Sequence, residues 1–97
     1  MTLITAERLA DELHIDQSPE ELATLSVLIS DASAIIRGSI DSQLTEQVAL
    51  ELASEQFNRL VGSVATSLYY DRALTDGFSH GQMIILQQLT GIIKGGA

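Results

Sequence analysis

The stretch SPEELATLSVLISDASAII, residues 18–36, decides the fold class of this chain. Ser18 suits a helix N-cap, Pro19 suits the first helical position, and Glu21 completes the S-x-x-E pattern of a capping box. Apolar residues then recur every three or four positions, which places them on one side of a helix. These residues are Leu22, Leu25, Leu28, Ile29, Ala32, Ile35 and Ile36. Because this stripe is wide, we expect the helix to pack against at least two neighbours.

Helical spacing also recurs in the rest of the chain, whereas polar and apolar residues never alternate for long enough to indicate a strand. Thr5 suits the N-cap of a first helix, Gly38 the end of the second, and TDG at 75–77 the end of the third. Gly62 lies in the middle of the third helix, so we expect a kink or a close helix crossing there. The sequence therefore predicts one all-α domain over residues 1–97, a small bundle of four helices. Their expected bounds are residues 5–14, 18–38, 45–74 and 80–93, followed by a flexible tail, KGGA, at 94–97.

The composition narrows the classes of function. Thirteen acidic and five basic residues give the 97-residue chain a net charge of −8, which disfavours binding to phosphate backbones. The absence of cysteine excludes disulfides and thiolate metal sites. The longest strongly apolar run, MIIL at 83–86, is far shorter than the roughly 18 residues of a membrane span, and the start MTLITAERLADEL lacks the pattern of a secretory signal. We therefore expect neither membrane insertion nor export.

The segment GFSHG at 77–81 matches the G-x-S-x-G motif that surrounds the nucleophilic serine of many hydrolases. In such enzymes the acid and the histidine of the triad follow the serine, whereas no Asp or Glu follows Ser79 and the only later histidine is its neighbour His80. Ser79 and Gln82 instead fit the S-x-x-Q form of a capping box. We therefore expect Ser79 to begin the last helix and not to act as a nucleophile.

Other candidate chemistry is sparse. His14 and His80 are too few for a histidine metal site and have no ligand spacing. The paired acids Glu20 and Glu21 suit the first turn of a helix, where negative charge is favourable. They also argue against a helix-turn-helix, because a DNA-recognition helix needs basic and amide groups at this end. We expect no enzymatic activity, no metal and no cofactor.

The last helix has apolar residues on nearly all sides. They are Met83, Ile84, Ile85, Leu86, Leu89, Ile92 and Ile93. One small domain cannot cover every side of such a helix, so some of these residues need another partner. The candidate contact residues are Ile85, Leu86, Leu89 and Ile92. The alternative is a central helix that the bundle itself encloses, which has the same composition.

Four segments together resemble a known family. They are LITAERLADELHID at 3–16, EELATLSVLISDASAIIRGSI at 20–40, SLYYDRAL at 67–74 and ILQQLTGI at 85–92. In this order they resemble the small head-tail connector, or adaptor, proteins of tailed phages, which include small DNA-packaging proteins. YYDR at 69–72 is similar to the tyrosine-rich, arginine-containing segment of that family. The terminal segment of the family often reads Gln-Leu-Arg-Gly, and this chain has Thr90 in place of the arginine.

The resemblance implies an all-α structural subunit that assembles into a ring below the phage portal, twelvefold in the finished particle. It implies a location in the virion neck, assembly in the cytoplasm of the host bacterium, and contacts with the portal and with the next neck or tail-completion protein. DNA would pass through the ring without sequence-specific binding, and an acidic lumen would hold it weakly. Arg59 and Arg72 are candidates for ion pairs with a neighbouring subunit, although exposed pairs contribute under about 1 kcal/mol.

An alternative from another class is a small acidic helical regulator or protein-binding module that forms a dimer. Its composition and helical pattern would be the same, so the two hypotheses differ in the number of copies that associate. A dimer at all concentrations favours the regulator.

Overall fold

The computed structural model describes residues 2–96 and contains four helices. Helix α1 spans Ala6–Leu13, α2 spans Pro19–Ile40, α3 spans Glu46–Tyr70 and α4 spans His80–Gly96. None of the described residues lies in a strand. The predicted fold class, a small all-α bundle, is confirmed.

Helix α3 is the centre of the bundle. It packs against α2 and against α4, while α1 packs against α2. Helix α2 therefore has two neighbours, as its wide apolar stripe predicts. The large side chains at the centre of the core come from all four helices. They are Leu9, Leu25, Ile36, Phe57, Leu60, Val61, Val64 and Leu89.

Hydroxyl side chains define the starts of the first three helices. The hydroxyl oxygens of Thr5, Ser18 and Thr45 accept hydrogen bonds of 3.2, 3.3 and 3.2 Å from backbone N–H groups three residues further on. Each bond satisfies a donor that has no partner within its helix, and a cap of this kind typically stabilises by about 1 kcal/mol. These local signals explain why the helix starts can be recognised from the sequence.

A buried serine joins the end of α2 to the start of α3. Ser33 is fully buried, and its hydroxyl donates to Glu46 Oε1 at 2.7 Å while it accepts from Arg37 Nε at 3.1 Å. Arg37 also donates to the Leu44 carbonyl oxygen at 3.5 Å. The hydroxyl is therefore satisfied inside the core, and the connection over residues 41–45 is held by side chains of both helices.

Two helix ends differ from their expected positions. Helix α2 does not end at Gly38 but continues to Ile40, whose side chain is buried in the core. Helix α3 ends at Tyr70, and residues 71–79 form turns. Asp71 causes this early end, because its carboxylate accepts hydrogen bonds from the backbone N–H groups of Ala73 at 3.2 Å and Thr75 at 2.8 Å. These bonds replace the helical pattern.

The irregular position inside α3 is Ala53, not Gly62. Ala53 has φ −155° and ψ 55°, outside the helical range, so α3 consists of two helical pieces joined at this residue. No glycine or proline lies near Ala53 to indicate a kink. Gly62 is buried beside the segment before α1, and a Cβ there would lie 3.4 Å from Ile4 Cδ1, which is about van der Waals contact.

Helix α4 is longer than expected. The predicted flexible tail begins at Lys94, but Lys94–Gly96 continue the helix. Ala97, also part of that predicted tail, lies outside the described residues.

By length and mean hydropathy alone, α2 is long and apolar enough to cross a membrane. Core helices of soluble proteins pass the same test, and α2 contributes seven residues to the buried interior of the bundle. The absence of a membrane span therefore stays a prediction.

Candidate interaction surface

Helix α4 buries only one of its sides against the bundle. Leu86 is 8% exposed and Leu89 is 0% exposed, and both belong to the core together with Ile93. Ile85 is half-buried against the same core, and Ile92 is 36% exposed. This corrects the predicted contact set. Leu86 and Leu89 are core residues of their own subunit, and Ile92 is the member most available to a partner.

A polar residue also lies on the inward side of α4. Gln82 is only 5% exposed and continues the buried line of Leu86, Leu89 and Ile93 to the start of the helix. Its amide Nε2 donates to the hydroxyl oxygens of Ser63 and Ser67 on α3, both at 3.0 Å. A glutamine gives no apolar signal, so the sequence pattern did not show that the buried side passes through this position.

The capping box at the start of α4 is complete. The backbone N–H of Gln82 donates to Ser79 Oγ at 3.1 Å, and the backbone N–H of Ser79 donates to Gln82 Oε1 at 2.9 Å. Ser79 therefore has the capping contacts that its spacing predicts. His80, its exposed neighbour, is the first residue of the helix. The described residues contain no group of three side chains suited to hold a metal ion.

The opposite side of α4 is apolar and faces solvent. Ile84 is 43% exposed, and Ile84, Gln88 and Ile92 follow each other at spacing four. We call these three residues the outer α4 face. The sequence has no acidic residue after Asp76, so this face carries no negative charge. Met83, 39% exposed, borders it on one side.

A second apolar surface lies on α2 and was not expected from the sequence. Val27 is 58% exposed and Ile35 is 37% exposed, with the exposed Asp31 halfway between them. We call Val27, Asp31 and Ile35 the outer α2 face. The exposed residues around it are small, namely Ala23, Ser26, Ser30, Ala34 and Gly38. The sequence analysis placed Ile35 on the buried side of α2. In the structure, the buried residues at this end of the helix are Ile36 and Ile40.

The two arginine candidates are exposed, and neither forms an ion pair within the described part of the chain. Arg72 follows the end of α3, and Arg59 lies on α3 beside a groove of about 600 Å³. The ion pair found in residues 2–96 joins Arg8 and Glu12 on α1, at 3.3 Å. Both partners of that pair are exposed, so it contributes little to stability.

The groove beside Arg59 separates α3 from the segment that precedes α1. Asn58 holds this segment with two hydrogen bonds, since its Oδ1 accepts from the Ile4 N–H and its Nδ2 donates to the Thr2 carbonyl oxygen, both at 2.8 Å. The groove is lined by side chains of both charge signs, including Arg8, Glu12 and Glu55. It has no dominant charge that would select a ligand.

The capping box predicted at the start of α2 is only half formed. Ser18 caps the Glu21 N–H, but the Glu21 side chain accepts a 2.5 Å hydrogen bond from the Tyr69 hydroxyl on α3. This bond, with added contributions from partial burial and from the negative charge of Glu21, raises the pKa of Tyr69 above its ordinary value. Glu21 thus joins α2 to α3 instead of closing its own helix start.

Comparison of the chain with protein-family models, with curated proteins and with solved structures finds no match.

Proposed function

We propose that this chain is a structural virion protein that forms a ring below the portal of a tailed phage, extends the DNA channel and joins head to tail. The observation that supports this most is the pair of exposed apolar surfaces on α2 and α4. Val27 and Ile84 are 58% and 43% exposed, and exposed apolar residues that are grouped on one face are typical of surfaces that contact another protein. Repeated contacts between different surfaces of identical subunits build a ring when the rotation from one subunit to the next closes, and an open filament when it does not.

The distribution of charge also fits a channel. Eleven of the thirteen acidic residues precede residue 56, and α4 has none. If the acidic part lines the channel, it repels the phosphate backbone, so that DNA slides through without being held. The acid-free helix is then free for protein contacts with the next subunit, with the portal or with the next neck protein.

The gene neighbourhood gives the first test. A connector subunit is expected to be encoded beside a portal gene and a terminase gene. A neighbourhood without any phage gene would contradict the proposal.

The number of associated copies gives the second test. Sedimentation velocity of the concentrated protein, with and without the neighbouring portal protein, is expected to show a ring-sized assembly in at least one of the two conditions. A dimer that stays a dimer under both conditions would contradict the proposal and favour the acidic regulatory or protein-binding module. A monomer under both conditions would contradict both functions.

A further inference from the structure

We propose that residues 2–13, which we call the strap, open as one unit while α2, α3 and α4 stay folded, and that Asn58 is the latch that keeps the strap closed. The strap consists of the non-helical segment before α1 and of α1 itself. The inference does not depend on the proposed function, because it concerns the stability of one part of the single subunit.

One side chain holds the strap on α3. Apart from the turn that follows α1, Asn58 makes the hydrogen bonds that join the strap to the rest of residues 2–96. Its Oδ1 accepts from the Ile4 N–H and its Nδ2 donates to the Thr2 carbonyl oxygen, both at 2.8 Å. Both bonds connect residues more than fifty positions apart in the chain, so they form only when the strap lies on α3.

The packing of the strap differs between its two neighbours. Helix α1 packs against α2, and its residues Ala6, Leu9 and Ala10 are buried in the core. On the side of α3, Ile4 lies beside Gly62, but a groove of about 600 Å³ lies between the strap and the helix. The two bonds of the latch are therefore a large part of what attaches the strap to α3.

Helix α1 is too short to remain helical once it leaves the bundle. It has eight residues, whereas isolated helices shorter than about 12–15 residues are marginal in water. Its unfolding returns conformational entropy, which offsets part of the burial that is lost when Leu9 leaves the core. Detachment and unfolding of α1 therefore occur together, and the strap opens as a cooperative unit.

The turn after α1 is suited to act as the hinge. His14 has φ 56° and ψ 38°, in the left-handed region that is uncommon for a residue with a Cβ. The turn is closed by the Ile15 N–H, which donates to the Ala10 carbonyl oxygen at 2.9 Å. This bond is lost when α1 unfolds, whereas α2 keeps its own cap at Ser18.

Opening of the strap uncovers the part of the core that Ala6, Leu9 and Ala10 cover. The side chains that join the other helices are not involved, since Tyr69 binds Glu21 on α2 and the partners of Gln82 lie on α3. The latch thus controls how often an apolar part of the interior becomes accessible in a subunit that is otherwise folded.

Native-state hydrogen exchange measures such an opening directly. We follow the backbone amides of the full chain by NMR, at urea concentrations below the unfolding transition. Leu9 and Ala10 report on the strap, and the fully buried Leu60 and Val64 on α3 report on the whole bundle. The strap amides are expected to exchange faster than the α3 amides, at a common rate that depends little on urea, because a local opening exposes little surface.

Two variants separate opening of the strap from unfolding of the subunit. Asn58→Ala is expected to speed the exchange of Leu9 and Ala10 about tenfold, because it removes both bonds of the latch. Gly77→Ala is the control, because it weakens the turn between α3 and α4 and does not line the groove beside the strap. It is expected to speed the exchange of the α3 amides and to leave the strap amides unchanged, since this turn stays folded when only the strap opens.

Three results would overturn the inference. If Gly77→Ala speeds the strap amides as much as the α3 amides, the strap opens only when the whole subunit unfolds. If Asn58→Ala leaves the exchange of Leu9 and Ala10 unchanged, Asn58 is not the latch. If Asn58→Ala yields an unfolded chain, the remaining helices do not stay folded without a closed strap.

Discussion

At the scale of single residues, Gln82 connects the start of α4 to the middle of α3. It completes the capping box with Ser79 and donates to Ser63 and Ser67 at the same time. Tyr69 makes a similar connection at the other side of α3, through its hydrogen bond to Glu21. Polar side chains thus join both α2 and α4 to the central helix.

We expect Gln82→Ala to lower the free energy of unfolding by about 1–3 kcal/mol, because it removes one cap bond and leaves two serine hydroxyls without their partner. Gln87→Ala is the matched control, since Gln87 is exposed on the same helix and its replacement is expected to change stability by less than about 0.5 kcal/mol. Urea denaturation of both variants measures the difference. Equal stability of the two variants would mean that the buried amide contributes nothing.

We expect Tyr69 to ionise at higher pH than free tyrosine, because its hydrogen bond to Glu21 favours the protonated phenol. A raised pKa in the folded state means that this contribution to stability is present below about pH 10 and is lost as the pH rises further. The ultraviolet absorbance of phenolate in a Tyr70→Phe background isolates the titration of Tyr69. Glu21→Gln in that background is expected to lower the pKa, and an unchanged titration would show that the bond is absent in solution.

At the scale of elements, short-range signals decide how much of the fold can be read from the sequence. The helix starts at Ser18, Thr45 and Ser79 depend on hydrogen bonds within one turn. The local sequence is therefore sufficient to predict them. The end of α3 depends on Asp71 turning back to Thr75, and the break at Ala53 has no residue type that marks it. The bonds to Asp71 are as local as the helix caps, so the end of α3 was a sequence signal that went unrecognised, whereas the break at Ala53 has no such signal.

The side of α4 that faces inward could not be read from the sequence for a related reason. Apolar residues occur on nearly all sides of this helix, so periodicity does not select one. The buried side also includes Gln82, whose partners Ser63 and Ser67 lie 19 and 15 residues earlier in the chain. The predicted contact set therefore included two core residues, Leu86 and Leu89, and omitted the exposed Ile84.

The turn between α3 and α4 requires a glycine at one position. Gly77 has φ 68°, in the left-handed region that side chains with a Cβ disfavour. We expect Gly77→Ala to destabilise the fold by about 1 kcal/mol. Gly81→Ala is the control, because its Cβ would meet nothing within 4 Å and its backbone is helical, so stability is expected to stay the same or rise. Thermal unfolding compares the two, and an equal loss would contradict the assignment.

At the scale of the whole molecule, the exposed apolar surface and the negative charge work against each other. A net charge of −8 keeps copies apart, whereas the exposed apolar residues of the outer α2 and outer α4 faces favour association. Because salt screens the repulsion and does not weaken apolar contacts, we expect association to increase with ionic strength. Sedimentation velocity in low and in high salt measures this, and dissociation in high salt would indicate an interface built on ion pairs.

Neighbouring positions on α4 are expected to separate folding from assembly. Leu86→Asp places a charge in the core and is expected to unfold the subunit, because an unpaired buried charge costs several kcal/mol. Ile84→Asp changes an exposed residue and is expected to keep the circular dichroism of the parent while it abolishes assembly. An Ile84→Asp variant that assembles like the parent would remove the outer α4 face from the interface.

The most direct test of the central claim is negative-stain electron microscopy of the concentrated protein, alone and bound to its portal protein. The account predicts closed rings of identical subunits, free in solution or seated on the portal, and no rings for Ile84→Asp. Particles no larger than a dimer in both preparations would contradict it.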